Sequence, residues 1–215
     1  LNKKKIKLIS NNDLLNQDLY LSEKGTYELN LKKDIKYNHN IYFDSSNTKI
    51  IIYGSMDNND DIKFIDNNYN SNLNAKIYRY DSNLLNGCIN FIKVNFEGGN
   101  LYSEGMKCED SINIVKSNGN IDNVEINKSN FDGLDIDMSN LNINNLRISD
   151  SRNDCLDLSF GNYNINNAFL ESCTDKAISV GEKSIFNSET IIAKKSNYAL
   201  VSKDSSKIFV KKLFS

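Results

Sequence analysis

The chain has 215 residues, with 26 Lys and Arg against 28 Asp and Glu and a formal charge of −2. That length buries one sizeable core, and the balanced charge excludes the one-sided basic surface a general nucleic-acid partner requires. No apolar run approaches the roughly 18–20 residues that cross a bilayer, so membrane insertion is not expected.

Proline is absent, 37 residues are Asn and only 39% are hydrophobic. Such a composition borders on disorder, but the apolar residues fall at fixed intervals, which a disordered chain does not need. The opening LNKKKIKLIS has the charge of a signal-peptide start without its apolar segment, and the closing LFS falls inside a repeat. A piece of a larger, cell-surface or secreted protein is expected.

Residues 1–87 alternate irregularly, through TYELNL (26–31), IKYNHNIYF (35–43), KIIIYG (49–54) and DIKFID, with polar breaks MDNNDD and DNNYNSNLN as loops or long corners. His39 reads as a surface strand residue. Tyr37, Tyr42, Tyr53, Tyr69, Tyr78 and Tyr80 are either a stacking surface for sugar rings or core packing and an N-terminal cap, and the core reading is adopted. CINFIKVNFEGG (88–99) matches IDNVEINKSNFDG (121–133), which makes LYSEGMKCED an insertion. The four cysteines, Cys88, Cys108, Cys155 and Cys173, contain no C-x-x-C pair and read as neither a disulfide framework nor a zinc site; Cys155 and Cys173 read as small core or corner residues.

From residue 88 to 215 the chain is regular. Ser111, Gly133, Cys155, Ala177 and Ala199 start registers 22 residues apart. One place on stand Ile112, Leu134, Leu156, Ile178 and Leu200; three places on, Ile114, Ile136, Leu158 and Val180. Ten places on, Ile121, Ile143 and Ile165 are followed by a misfit at Asn187 and a return at Phe209. The column thirteen on fades from Val124 through Leu146 and Ala168 to Thr190, and fifteen on stand Ile126, Ile148, Leu170, Ile192 and Phe214. Alternation within each register means strands with one buried face. A 22-residue period is too short for a propeller blade and lacks the leucine-rich pattern. The expected fold is all-β: a right-handed parallel β-helix, or β-solenoid, of about 22 residues per rung, with nine or ten rungs in one domain spanning 1–215. Asn is expected at the corners, where it tolerates left-handed backbone, and Pro is absent because every rung uses its N–H for the next.

The motifs DGLDID (132–137), NDCLDLS (153–159), DKAISVGE (175–182) and KDSS (203–206) resemble successive rungs of bacterial pectate-lyase-like β-helices, the group of carbohydrate-binding proteins and sugar hydrolases. Cys155 and Ala177 stand where that group usually has Gly. The resemblance implies a polysaccharide partner, here a bacterial surface or capsular glycan bound along one solenoid face.

Candidate residues for that partner lie beside the register starts: Asp132, Asp135, Asp137, Asp154, Asp157, Asp175, Lys176, Glu182, Lys203 and Asp204. Stacked rungs bring Asp132 near Asp154 and Asp135 near Asp157, so their repulsion needs Lys176, water or a bound cation such as calcium at Asp132, Asp135, Asp154 and Asp157. For polysaccharide cleavage, Asp154, Asp157 and Lys176 are the candidate acid and base groups, although no separate cofactor is called for. The bland alternative uses Asp as a corner residue bonding its own backbone, in a structural or adhesive module. The basic C-terminal stretch, with Lys194, Lys195, Lys203, Lys207, Lys211 and Lys212, reads as a solvated solenoid end.

Overall fold

The computed structural model describes residues 6–10, 17–45, 47–69 and 80–215. Among them there is no helix; eighteen strands form one parallel sheet. In chain order the first nine are β1 (Lys7–Leu8), β2 (Leu19–Leu21), β3 (Gly25–Leu31), β4 (Asn38–Phe43), β5 (Thr48–Met56), β6 (Asp61–Asp66), β7 (Gly87–Glu97), β8 (Asn100–Glu104) and β9 (Asp110–Val115). They continue as β10 (Asn118–Ser129), β11 (Asp132–Asp137), β12 (Asn140–Ser151), β13 (Leu156–Ser159), β14 (Asn162–Cys173), β15 (Lys176–Gly181), β16 (Ile185–Lys194), β17 (Tyr198–Ser202) and β18 (Lys207–Phe214).

Strands pair two steps apart in sequence, as a coil stacked on itself must. The result is a parallel β-solenoid of about nine turns and about 22 residues per turn. In the regular half each turn has three sides. Face 1 is the odd-numbered strand, and each long even strand bends at Asp122, Asn144 or Asn166, where register pairing skips a residue, to give faces 2 and 3.

The inward column of face 1 runs Ile50, Ile89, Ile112, Leu134, Leu156 and Ile178, each fully buried. Its neighbour runs Ile52, Phe91, Ile114, Ile136, Leu158 and Val180, equally buried. Face 3 contributes Leu101, Val124, Leu146, Ala168 and Ile191. A single turn cannot bury these side chains, whereas a stack makes one continuous core, worth about 1.5–3 kcal/mol for each large aliphatic.

The two early steps correct the sequence alignment. Ile89 pairs with Ile112, so CINF belongs to face 1 and not beside IDNVEI. LYSEGMKCED is no insertion: it carries β8 on face 3, paired with β6 and β10. The true insertion lies in the turn where Ile89 follows Ile50 by 39 residues. Its described end, Tyr80–Asn86, packs at the third corner, where Asn83 Nδ2 donates to Thr26 Oγ1 at 2.8 Å and Lys49 Nζ donates to the Leu85 carbonyl at 2.6 Å. Part of DNNYNSNLN, and Tyr78, lie outside the described residues.

A second correction concerns the fading columns. Asn140 to Asn162 is one 22-residue step, but Asn162 pairs with Ile185, one residue further. The extra residue sits in the corner after β15, where Glu182 and Lys183 both have positive φ while each earlier turn has one such residue. Thereafter the core columns continue through Ser188 and Val210, Ile191 and Leu213, and Ala193, not through Asn187, Thr190 or Ile192. Phe209 restores nothing; it points outward and is 56% exposed.

Asn144 and Asn166 stand at the corner between faces 2 and 3, but the left-handed corner positions are not built from Asn. Left-handed residues stack as Lys116, Met138 and Phe160 between faces 1 and 2, and as Lys128, Asp150, Ser172 and Lys195 before the third corner; Asn47 is the lone Asn among them in the described residues. The corner conformation is imposed by the stack above and below, which outweighs the roughly 1–2 kcal/mol intrinsic cost per residue. Asn instead forms ladders on the flat sides. A serine column supports the first corner: the Ser117 N–H donates to Ser139 Oγ at 3.0 Å and the Ser184 N–H to Ser206 Oγ at 3.2 Å.

Cys88, Cys155 and Cys173 are buried in the core, as expected of the last two, but the cysteines are paired. Cys88 bonds Cys108 and Cys155 bonds Cys173, and no cysteine is free. Each bond joins the start of face 1 to the far end of the same coil. The spacings of 20 and 18 residues, just under one turn, are the sequence signal for this pairing.

Candidate functional site

Two surfaces concentrate chemistry. The first contains the predicted acidic residues. At the third corner Asp110 pairs in register with Asp132, and the column continues through Asp154 to Lys176. Alongside, the outward column of face 1 runs Asn90, Asn113, Asp135, Asp157 and Ser179. Asp110 and Asn113, absent from the sequence-level set, belong to this field.

The field is sunk into the surface. Asp110, Asp132 and Asp154 are buried, Ser179 is fully so, and Asp135, Asp137 and Asp157 are half-buried. Asp132 Oδ1 accepts from the Asp154 N–H at 2.9 Å and from Asn153 Nδ2 at 2.6 Å. Asp154 Oδ1 accepts from the Lys176 N–H at 3.0 Å and from its Nζ at 3.2 Å, and Asp175 also accepts from Lys176 Nζ. Asp135 accepts from Asn113 Nδ2 at 3.0 Å. By contrast, Asp110 Oδ2, Asp157 Oδ1 and Ser179 Oγ are buried without a hydrogen-bond partner.

Burial dominates the titration of this field. It lifts Asp132 to about 7, against the stabilising N–H donors. Burial, then the charges of Asp132, Glu109 and Asp137, hold Asp110 well above the usual carboxylate range; burial, then Asp110, Asp137 and Asp157, do the same to Asp135. Burial also raises Asp154, although Lys176 opposes it. For Lys176, burial lowers the pKa, but Asp175 and Asp154 outweigh it and the ammonium is held above its ordinary value.

The remaining predicted residues lie apart, at the corner between faces 1 and 2. Glu182 Oε2 accepts from Ser159 Oγ at 2.6 Å; Lys203 and Asp204 are exposed, and the Lys183 N–H donates to the Asp204 carbonyl at 3.0 Å. Among the described residues no group of three or more His, Cys, Asp or Glu is arranged to hold a metal ion. Calcium at Asp132, Asp135, Asp154 and Asp157 therefore has no cage: the carboxylates are spread along the stack and two already bind backbone N–H groups.

The second surface is the outside of face 3. Asn123 Nδ2 donates to Asn100 Oδ1 at 2.6 Å, Asn145 to Asn123 at 2.9 Å and Asn167 to Asn145 at 3.2 Å. Beside this exposed amide ladder runs the outward column Tyr102, Glu125, Arg147, Phe169, Ile192 and Phe214. The Arg147 guanidinium lies 4.5 Å from the Phe169 ring centroid and Lys194 Nζ lies 5.4 Å from it. A shallow groove of about 370 Å³ follows Asn123, Asn145, Asn167, Arg147, Phe169 and Ile192. Further along face 3, the exposed Tyr20 ring stacks on Tyr42 at 4.8 Å. Of the predicted tyrosines, Tyr37 is core and Tyr53 donates to Glu28 Oε1 at 2.5 Å.

No protein-family model matches the chain, and neither do any curated protein or any solved structure. The function therefore rests on these two surfaces.

Proposed function

We propose that this chain binds a polysaccharide along the outside of face 3, with Phe169 as a stacking ring and the Asn123, Asn145 and Asn167 amides as hydrogen-bonding groups. The observation that carries the reading is the groove itself. It joins an outward aromatic ring, the Arg147 guanidinium and a row of amides, each amide keeping one N–H after its ladder bond, and Lys194 lies beside the same ring. Pyranose rings present an apolar C–H face and a hydroxyl rim, which such a surface matches. Arg147 and Lys194 favour a glycan carrying carboxylate or sulfate groups. The right-handed winding and the pectate-lyase-like kinship expected from the rung motifs belong to the same reading. Two disulfides support a secreted or cell-surface setting, since cytosolic thiols stay reduced.

Cleavage through Asp154, Asp157 and Lys176 has less support: Lys176 is ion-paired and held protonated, so it offers no base. The deciding experiment is calorimetry against acidic and neutral polysaccharides with wild type, Phe169→Ala and Arg147→Ala. Both variants are expected to weaken binding of an acidic glycan at least tenfold with unchanged melting. Undiminished binding by both, or new reducing ends in the digest, overturns the proposal.

A further inference from the structure

We propose that the acidic field at the third corner and face 1 is a separate binding site for an organic ammonium group. The field carries Asp110, Asp132, Asp135, Asp154 and Asp157, and Lys176, which is bonded within it, is shared between Asp154 and Asp175. Lys49, whose charge reaches Asp110, spends its Nζ on the Leu85 carbonyl.

Three buried acceptors of this field have no partner among the described residues. Asp110 is 2% exposed with Oδ2 unbonded; Ser179 is 0% exposed with Oγ unbonded; Asp157, the register partner of Ser179, leaves Oδ1 unbonded. Leaving a buried polar atom unpaired costs about 1–3 kcal/mol, more if charged, so a donor that reaches two of them gains from both. Ser179 is neutral, and its unmet hydroxyl is independent of the acidic charge. Among the described residues no group of three or more His, Cys, Asp or Glu is arranged to hold a metal ion, whereas calcium needs six to eight oxygens. An ammonium, with three N–H donors reaching 2.7–3.0 Å, bridges oxygens on successive turns.

The rim fits the rest of such a ligand. Met138 and Phe160, the residues that follow Asp137 and Ser159, are 47% and 58% exposed at the first corner. An aromatic face and a thioether beside carboxylates take the carbon skeleton of an amine and add cation–π attraction. Polyamines and amino sugars share this chemistry.

Calorimetry at pH 8 with spermidine and with glucosamine oligomers tests the site, with calcium chloride and N-acetylglucosamine oligomers as controls. At least one ammonium probe is expected to bind, at least tenfold more weakly to Asp157→Asn and to Ser179→Ala, with neither control binding here. Binding of spermidine alone identifies a polyamine site, and binding of the oligomer alone an amino-sugar site. Should Asp157→Asn not fold, Ser179→Ala carries the test. No binding of either probe by wild type, undiminished affinity in the folded variants, or calcium binding displaced by spermidine overturns the proposal. Phe169→Ala is expected to leave ammonium binding unchanged, which separates this result from the glycan test.

Discussion

Cys155 and Cys173 stand at the beginning and end of one coil, and their bond closes that coil into a ring. Loop closure of this size stabilises by about 3 kcal/mol. Cys155→Ser with Cys173→Ser is expected to lose about that much in a urea titration, and the wild type to lose it on reduction. Ser111 and Ser129 occupy the same two positions two turns earlier. Replacing both by Cys is expected to form a third ring, detectable as a linked peptide pair in a non-reducing digest.

The one-residue slip after β15 makes a sharp contrast between neighbours. Ile191 is fully buried in the column below Ala168, whereas Ile192 faces the groove of face 3. Ile191→Ala is expected to cost about 2–5 kcal/mol and Ile192→Ala under about 1 kcal/mol. Equal losses in chemical denaturation would return the core to the uninterrupted 22-residue register.

Those two residues also mark what was legible in the sequence. Inward positions such as Leu134, Leu156 and Ile178 recur because every turn needs the same apolar volume, so period and alternation disclose them. The slip showed only as the misfit at Asn187 and the fading at Thr190, because Thr190 and Ile192 are plausible strand residues in either register. The left-handed corners at Met138 and Phe160 carry no local signature, since neighbouring turns impose them. The acidic candidates Asp132 to Asp157 were legible as a cluster, but their burial depends on residues from other turns, as with Asn113. Phe169 escaped notice because outward columns vary, from Glu125 to Arg147 to Ile192, and leave no repeat to read.

Asp132 predicts how stability varies with pH. Its folded pKa of about 7 lies above an unfolded value near 3.8, so the native state holds the proton more tightly. Its contribution is fully present below about pH 4 and is lost as pH rises through about 7. Asp110 and Asp135, both raised, act in the same sense. A three-unit shift corresponds to at most about 4 kcal/mol. Thermal melts are expected to fall between pH 5 and 8, and Asp132→Asn to flatten that fall. A melting temperature that climbs over this interval would contradict the burial described for this carboxyl.

Two glycines share a positive φ but differ in surroundings. A Cβ on Gly119 (φ 117°) would lie 2.0 Å from the Phe96 carbonyl oxygen, whereas one on Gly25 (φ 139°) meets nothing within 4 Å. Gly25→Ala adds backbone strain alone, on the order of 1–3 kcal/mol. Gly119→Ala adds a backbone clash between turns and is expected to destabilise by more than 4 kcal/mol or abolish folding, as circular dichroism would show.

The two ringed coils also determine how the molecule responds to force. Pulled at its ends, a solenoid unravels turn by turn, because each coil holds only to its neighbours. The segments Cys88–Cys108 and Cys155–Cys173 cannot pay out their 20 and 18 residues, so each withholds on the order of 60–70 Å of extension. The intervening coils unspool between two knots of fixed length, a property suited to a tether that must yield without coming apart.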